Sequence, residues 1–536
     1  MTASSGFADL WEAIATVRGD QAAVVQGDRT VTWNDLDRRA DGIADALLRA
    51  GLGHQAKVAQ YLRNGPEYLE SLFASYKAGL VPVNTNHRYL AAELVQLWHN
   101  ADVEAVVFHG EFTDRVAAAR HELGHVALWL WVDDGHGPCP DWARPYEDAA
   151  SASPAGPVRA PWGRSGDDVL LLYTGGTTGL PKGVVWRQAD YVEMANETLG
   201  RPYPHPVRPE EVRELVAGVP RLVLLPACPL MHGTGFVTAQ TDLLAGGTVV
   251  LTAAPSFSAT EVLDLVDRHR VAHLVIVGDV MGAPLLEAFV ADRQRWSLAC
   301  LDRIASAGMM WSERNRRAWA EQLPSVELFD ALGASEVASV GGAVSGGAVV
   351  VPTARFTLAP GTIVLDDDGV PVPPGSPVVG RLATSGRLPL GYYGDAEATA
   401  RAFVTIDGTR YGIAGDHATV EADGTVRLIG RGSVCINTGG EKVYPEEVEE
   451  VLKEHATVRD AVVVGAPDER TGQAVVGVVE PQPGETLDEA TLIAFVKARL
   501  AGYKAPRRIV AVDSIGRGPN GKADLPALQR LVGGTA

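Results

Sequence analysis

Leu171–Val185 reads LLYTGGTTGLPKGVV. Its apolar start predicts a buried strand, and the strand leads straight into a loop with Gly175, Gly176, Gly179 and Gly183. Glycines let backbone N–H groups approach phosphate oxygens where a Cβ would clash. Thr174, Thr177 and Thr178 add hydroxyls, and Lys182 adds a positive charge. Pro181 precedes that lysine where a Walker A sequence needs glycine, so the loop is a different phosphate-holding device.

Outward from this loop the chain alternates short β-rich runs with helix-length segments. Val58–Leu62, Ala105–Phe108, Leu222–Leu225, Thr248–Leu251 and Leu274–Val277 read as strands, and Pro66–Ala78 reads as a helix. This alternation predicts an α/β fold. Ser151–Asp168, rich in Pro, Gly, Ser and Ala, reads as a surface connection. Beyond about Arg431 the pattern becomes compact α+β. Pro445 opens a helix with Glu446 and Glu447 in its first turn, Ala461–Val464 and Ala474–Val479 are strand-like, and Leu492–Leu500 is helix-like.

With 536 residues the chain exceeds the ~250–300 at which a single core stops growing, so more than one domain is expected. Its 46% hydrophobic and 21% charged residues are those of an ordinary globular protein. A formal charge of −19 without a basic block excludes nucleic acid as a partner, and any anionic ligand must be held by local Lys, Arg and helix N-termini. Cys139, Cys228, Cys300 and Cys435 form no CxxC, which fits a reducing cytoplasm without zinc sites or disulfides. Met1–Trp11 shows no signal peptide, and no apolar window reaches the ~20 residues of a membrane span.

The run Leu171–Val185 resembles the phosphate loop of adenylate-forming enzymes, a family of acyl-CoA synthetases, luciferases and peptide-synthetase adenylation domains. Further motifs follow in the family's order, so the resemblance covers nearly the whole chain. It implies a large N-terminal adenylate-forming domain over 1–431, built of stacked sheets flanked by helices plus a β-subdomain. A small mobile α+β domain over 432–536 follows. FDALGASEV (Phe329–Val337) is similar to the family's aromatic-Gly-x-Thr-Glu segment. The resemblance makes Glu336 the magnesium carboxylate beside Thr178, with Ser335 in place of the usual threonine and Leu332 in place of an aromatic. YGIAGDHA (Tyr411–Ala418) resembles the Gly-Asp segment whose carboxylate, here Asp416, takes the ribose hydroxyls.

LIGRGSVCINTGGEKVYP (Leu428–Pro445) resembles the family's hinge and the loop that follows it. It implies Arg431 at the ribose or phosphate, Ser433 as the hinge where the family carries Asp or Lys, and Gly439, Gly440, Glu441 and Lys442 at the pantetheine channel of coenzyme A. GRGPNGKAD (Gly516–Asp524) resembles the loop of the catalytic lysine, Lys522 here. PACPLMHGTGF (Pro226–Phe236) places His232 at the acyl channel. Small residues at Gly233, Gly235, Gly278 and Ala307 imply volume for the acyl group, and the resemblance puts Gly308 and Ser335 at the ATP or AMP.

Taken together, the resemblance implies ATP, Mg2+ and coenzyme A as co-substrates and cofactor. The implied partner is a bulky apolar carboxylic acid, as in the actinobacterial fatty-acyl and steroid-side-chain CoA ligases. A homodimer stays open. Three other readings share these residues: loading of a carrier protein, retention of one half-reaction, and a silent binding protein on the same fold.

Overall fold

The computed structural model describes residues 5–152, 154–175, 181–199, 202–308, 311–337, 339–431, 436–443, 445–516 and 523–533. The chain divides into two compact units. One comprises Met1–His87, Val95–Tyr173 and Gly183–Ile429; the other comprises Arg88–Leu94, Thr174–Lys182 and Gly430–Ala536.

The first unit holds two large sheets. An eight-stranded sheet runs in the order Gly391–Tyr392, Pro181–Arg187, Val169–Gly175, Val81–Asn84, Lys57–Tyr61, Val103–His109, Leu128–Val132 and Arg144–Pro145. Its middle strands pair in parallel and are buried on both faces, which is why they read as unbroken apolar runs. The second sheet has fourteen strands. In its parallel part Thr248–Leu251, Val223–Pro226, His273–Ile276, Arg303–Ala307 and Glu327–Leu332 lie side by side. From Gly341–Ser345 the pairing turns antiparallel, and the sheet continues through Arg355–Leu358, Val426–Arg431, Thr409–Val420, Gly380–Ser385 and Thr362–Leu365.

The strands read from sequence agree with these to within a residue or two. The helix read over Pro66–Ala78 is Pro66–Lys77, with proline in its first turn and every residue buried. An unread element is the helix Phe7–Arg18, whose Phe7 stacks on Tyr76 at 5.2 Å. Tyr76 in turn donates to Gln240 Oε1 at 2.7 Å, which anchors the helix Gly233–Leu244. The connection read over Ser151–Asp168 is pinned down more firmly than a surface linker. Arg164 donates to Glu12, Asp9 and the Lys77 carbonyl, and Asp168 is buried.

In the second unit the helix Pro445–Lys453 lies against the hairpin of Val458–Asp468 and Gly472–Pro481. Val448, Leu452, Val463, Val475, Val479, Leu492 and Val496 form its core. The apolar alternation of two long strands and the i, i+3, i+4 spacing of the helix meet there.

Candidate active site at the carboxyl edge of the parallel strands

Four neighbouring parallel strands end at Pro226, Ile276, Ala307 and Leu332, and each is followed by a segment read as functional. Ligands of open α/β sheets bind outside the carboxyl ends of their strands. The segments meet there. A Cβ on Gly233 would lie 3.7 Å from Ser335 Oγ, and one on Gly308 would lie 3.5 Å from Thr234 Oγ1. Gly308 has φ +89 and Gly278 has φ +51, so both strands leave the sheet through a left-handed turn that glycine adopts at least cost. The Gly278 amide donates to the buried Ser306 Oγ at 2.9 Å, tying two of these turns together. Ala307 closes its strand opposite Ala331.

His232 is half-buried and immediately precedes the helix Gly233–Leu244. Gly235 corrects the sequence reading. A Cβ there would sit 2.5 Å from the Pro229 carbonyl oxygen, so this glycine admits a close backbone approach and offers no open volume. Four residues before His232, the Cys228 thiol is buried, and burial pushes it up to about 12.

Thr174 and Lys182 are half-buried at the two ends of the segment read as a phosphate loop. Next to it, the Tyr173 ring crosses Gly183, where a Cβ would fall 2.7 Å from the ring. The Tyr173 hydroxyl donates to Asn100 Oδ1 at 2.8 Å, and burial holds this phenol well above its ordinary range, so it stays a donor. Gly176, Thr177, Thr178, Ser433 and Lys522 lie outside the described residues, as do the side chains of Arg431 and Lys442.

Asp416 is buried within Thr409–Val420. The register against Gly380–Ser385 slips there: Arg381 faces His417 and Ala383 faces Ile413, so Ala414–Asp416 bulge with Gly415 at φ +82. Gly412 on the same strand lets it lie against Glu336, since a Cβ would meet the Glu336 carbonyl oxygen at 3.2 Å. In the second unit, Gly439 and Gly440 form the two-residue tip of a hairpin between Ile436–Thr438 and Glu441–Val443. Their φ values of +60 and +87 are those of a primed turn, which explains both glycines on backbone grounds, and Glu441 beside them is buried.

The AMP-binding enzyme pattern matches residues 11–393, and the AMP-binding enzyme C-terminal domain pattern matches residues 447–522. The chain belongs to the AMP-binding enzyme family. A medium/long-chain-fatty-acid–CoA/3-oxocholest-4-en-26-oate–CoA ligase of Mycolicibacterium smegmatis is 40% identical over 522 residues, covering 96% of this chain and 94% of that one. A 3-oxocholest-4-en-26-oate–CoA ligase of Rhodococcus rhodochrous is 38% identical over 96% and 94% of the two chains. Among solved structures, the amide bond synthetase McbA of Marinactinospora thermotolerans superposes with a TM-score of 0.79 at 26% identity, covering 98% and 99%.

One residue beside the candidate site of this AMP-binding enzyme escaped the sequence reading. Tyr392 donates from its hydroxyl to Glu336 Oε1 at 2.8 Å, and its strand pairs with Val184 and Val185 of the strand Pro181–Arg187. The contact spans 56 positions, and no local pattern marks it. Glu336 itself is half-buried. A half-buried carboxylate with one oriented oxygen fits the hard oxygen donors that magnesium takes, and an ion that arrives with a triphosphate needs only one or two protein carboxylates.

Proposed function

We propose that this AMP-binding enzyme is an ATP-dependent acyl-CoA ligase for bulky, largely apolar carboxylic acids of fatty or steroid type. The meeting of His232, Gly233, Gly308 and Ser335 segments at one sheet edge carries this reading, since it gathers acyl-side and phosphate-side groups at one place. The names of the two ligases, at 38–40% identity over nearly full length, support the acid class and the thiol acceptor.

The reaction has two steps. A carboxylate oxygen attacks the α-phosphorus of ATP, and pyrophosphate leaves. The thiol of coenzyme A then attacks the acyl-adenylate carbonyl, its proton is lost, and AMP leaves. Gly175, Gly176, Thr174, Thr177, Thr178 and Lys182 hold phosphate oxygens, and Asp416 and Arg431 hold the ribose side. Lys522 offsets charge as the anhydride breaks. Glu336 and Thr178 would hold magnesium, which supplies neutralisation of phosphate charge when bound. Gly233, Ala307 and the backbone at Gly278 and Gly308 bound the acyl group beside His232. The hairpin tip Gly439–Gly440 with Glu441 and Lys442 admits the pantetheine arm, and Ser433 lets the backbone turn between the two steps. The work is done in the cytoplasm.

A panel of acetate, octanoate, dodecanoate and 3-oxocholest-4-en-26-oate, each with ATP, magnesium and coenzyme A, tests this by mass spectrometry of acyl-CoA. The larger acids are expected to exceed acetate at least tenfold in kcat/KM; equal use of acetate would sink the acid class. In the same assay Lys522→Ala should lose adenylation and keep thioester formation from supplied acyl-adenylate. Gly440→Asn, which tolerates the left-handed turn, should do the reverse.

A further inference from the structure

Two asparagines stand at the ends of adjacent parallel strands. Asn84 closes Val81–Asn84, and Asn64 follows Lys57–Tyr61. Asn84 is buried, and three of its hydrogen bonds go to main-chain groups far away in sequence. Its Oδ1 accepts from the Tyr173 amide at 2.6 Å, while Nδ2 donates to the Tyr173 carbonyl at 3.0 Å and to the Met231 carbonyl at 2.7 Å. Tyr173 is the last residue before the phosphate-loop threonine, and Met231 is the last before His232. Asn64 grips the same downstream loop from its other end. Its Oδ1 accepts from the Leu230 amide at 2.8 Å and its Nδ2 donates to the Cys228 carbonyl at 3.2 Å, with no bond to Tyr173. The His87 amide, near Asn84 in sequence, also donates to Met231 Sδ at 3.3 Å.

We propose that Asn84 is a positioning residue that sets the register between the strand end at Tyr173, which leads into Thr174, and the loop end at Met231, which leads into His232, and so places the attacking carboxylate against the α-phosphorus. The inference rests on the proposed function and deepens it. A primary amide suits the task because it is both donor and acceptor. It replaces a missing ladder partner on Tyr173 and spends its second N–H on the neighbouring loop. No charge reaches the ligand from it, so its effect passes through two backbones. A shift of about 1 Å in such roots costs on the order of 100-fold in rate without changing any group that touches substrate. Asn64 steadies one loop only and carries no such link.

Acid-dependent ATP–pyrophosphate exchange, with dodecanoate and 3-oxocholest-4-en-26-oate offered separately, tests the proposal. Concentrations are normalised to active sites by the burst of acyl-adenylate. Asn84→Asp keeps the shape and turns an acceptor on two carbonyls. It is expected to lower kcat of exchange at least 30-fold while the KM for ATP moves less than threefold. Asn64→Ala is expected to stay within threefold of wild type in kcat. Should Asn84→Asp fail to fold, Asn84→Ser is read in the same way. Loss of kcat in equal measure for the Asn64 and Asn84 variants overturns the proposal, and so does a lowered melting temperature with kcat per active site unchanged. Wild-type exchange with unaffected Asn84 variants overturns the clamp alone. A wild type that makes no acyl-adenylate from either acid overturns the proposed function and the clamp with it.

Discussion

At the carboxyl edge of the parallel strands, candidate groups arrive on the segments that follow each strand: His232 after Pro226, Gly278 after Ile276, Gly308 after Ala307 and Glu336 after Leu332. In the antiparallel region Asp416 arrives in the middle of a strand, turned by the bulge at Ala414–Asp416. A loop can be lengthened or redirected without disturbing the strand before it. A bulge is fixed by its partner's register, so Asp416 depends on Gly380–Ser385 as much as on its own neighbours. One region therefore carries groups on loops free of strand register, and the other carries a group set by pairing.

The largest expected effect lies on the loop-borne side. Glu336→Gln keeps shape and removes charge, so adenylation should fall on the order of 100-fold at low magnesium and recover partly as magnesium is raised. An unchanged magnesium titration would remove Glu336 from the metal. On the bulge-borne side, Asp416→Asn should raise the KM for ATP about tenfold, near 1.4 kcal/mol, with a smaller change in kcat. Gly415→Ala sharpens the comparison, because a Cβ there meets nothing within 4 Å and only the φ of +82 is strained. It should raise the same KM about threefold if the bulge aims the carboxylate, and a KM left at the wild-type value would break that link. Between the effects of Asp416→Asn and Gly415→Ala lies that of Tyr392→Phe. Loss of one hydrogen bond to Glu336 is worth about 1 kcal/mol, so kcat/KM should drop roughly fivefold and the magnesium requirement should move in the same direction as in Glu336→Gln. A shift in the opposite direction would mean that the tyrosine does not orient that carboxylate.

The same contrast explains what was legible in the sequence. Strands such as Thr248–Leu251 and the helix from Pro445 are written in local apolar period and end signals, and they were read to within a residue or two. The loop after Leu172 was legible because its glycines, threonines and lysine are contiguous. Asp416 was legible as a Gly-Asp pair, but its bulge was not, since the slip is a property of two strands. Gly235 looked like Gly233, its neighbour two places away. Only the fold reveals that one faces Ser335 Oγ across ordinary contact distance and the other presses on the Pro229 carbonyl. Asn84 and Tyr392 act across 89 and 56 positions, where no periodicity reaches.

Burial makes Cys228 a poor nucleophile. An acyl-adenylate is an electrophile that any available thiolate would consume, and this thiol sits four residues from His232. Burial pushes its ionisation up to about 12, so at neutral pH it carries far less thiolate than a free thiol titrating near 8.5. Burial adds a second barrier, because the sulfur has almost no exposed surface. The thiol that precedes His232 in sequence is thus kept protonated and shielded, which leaves an incoming thiol as the faster nucleophile.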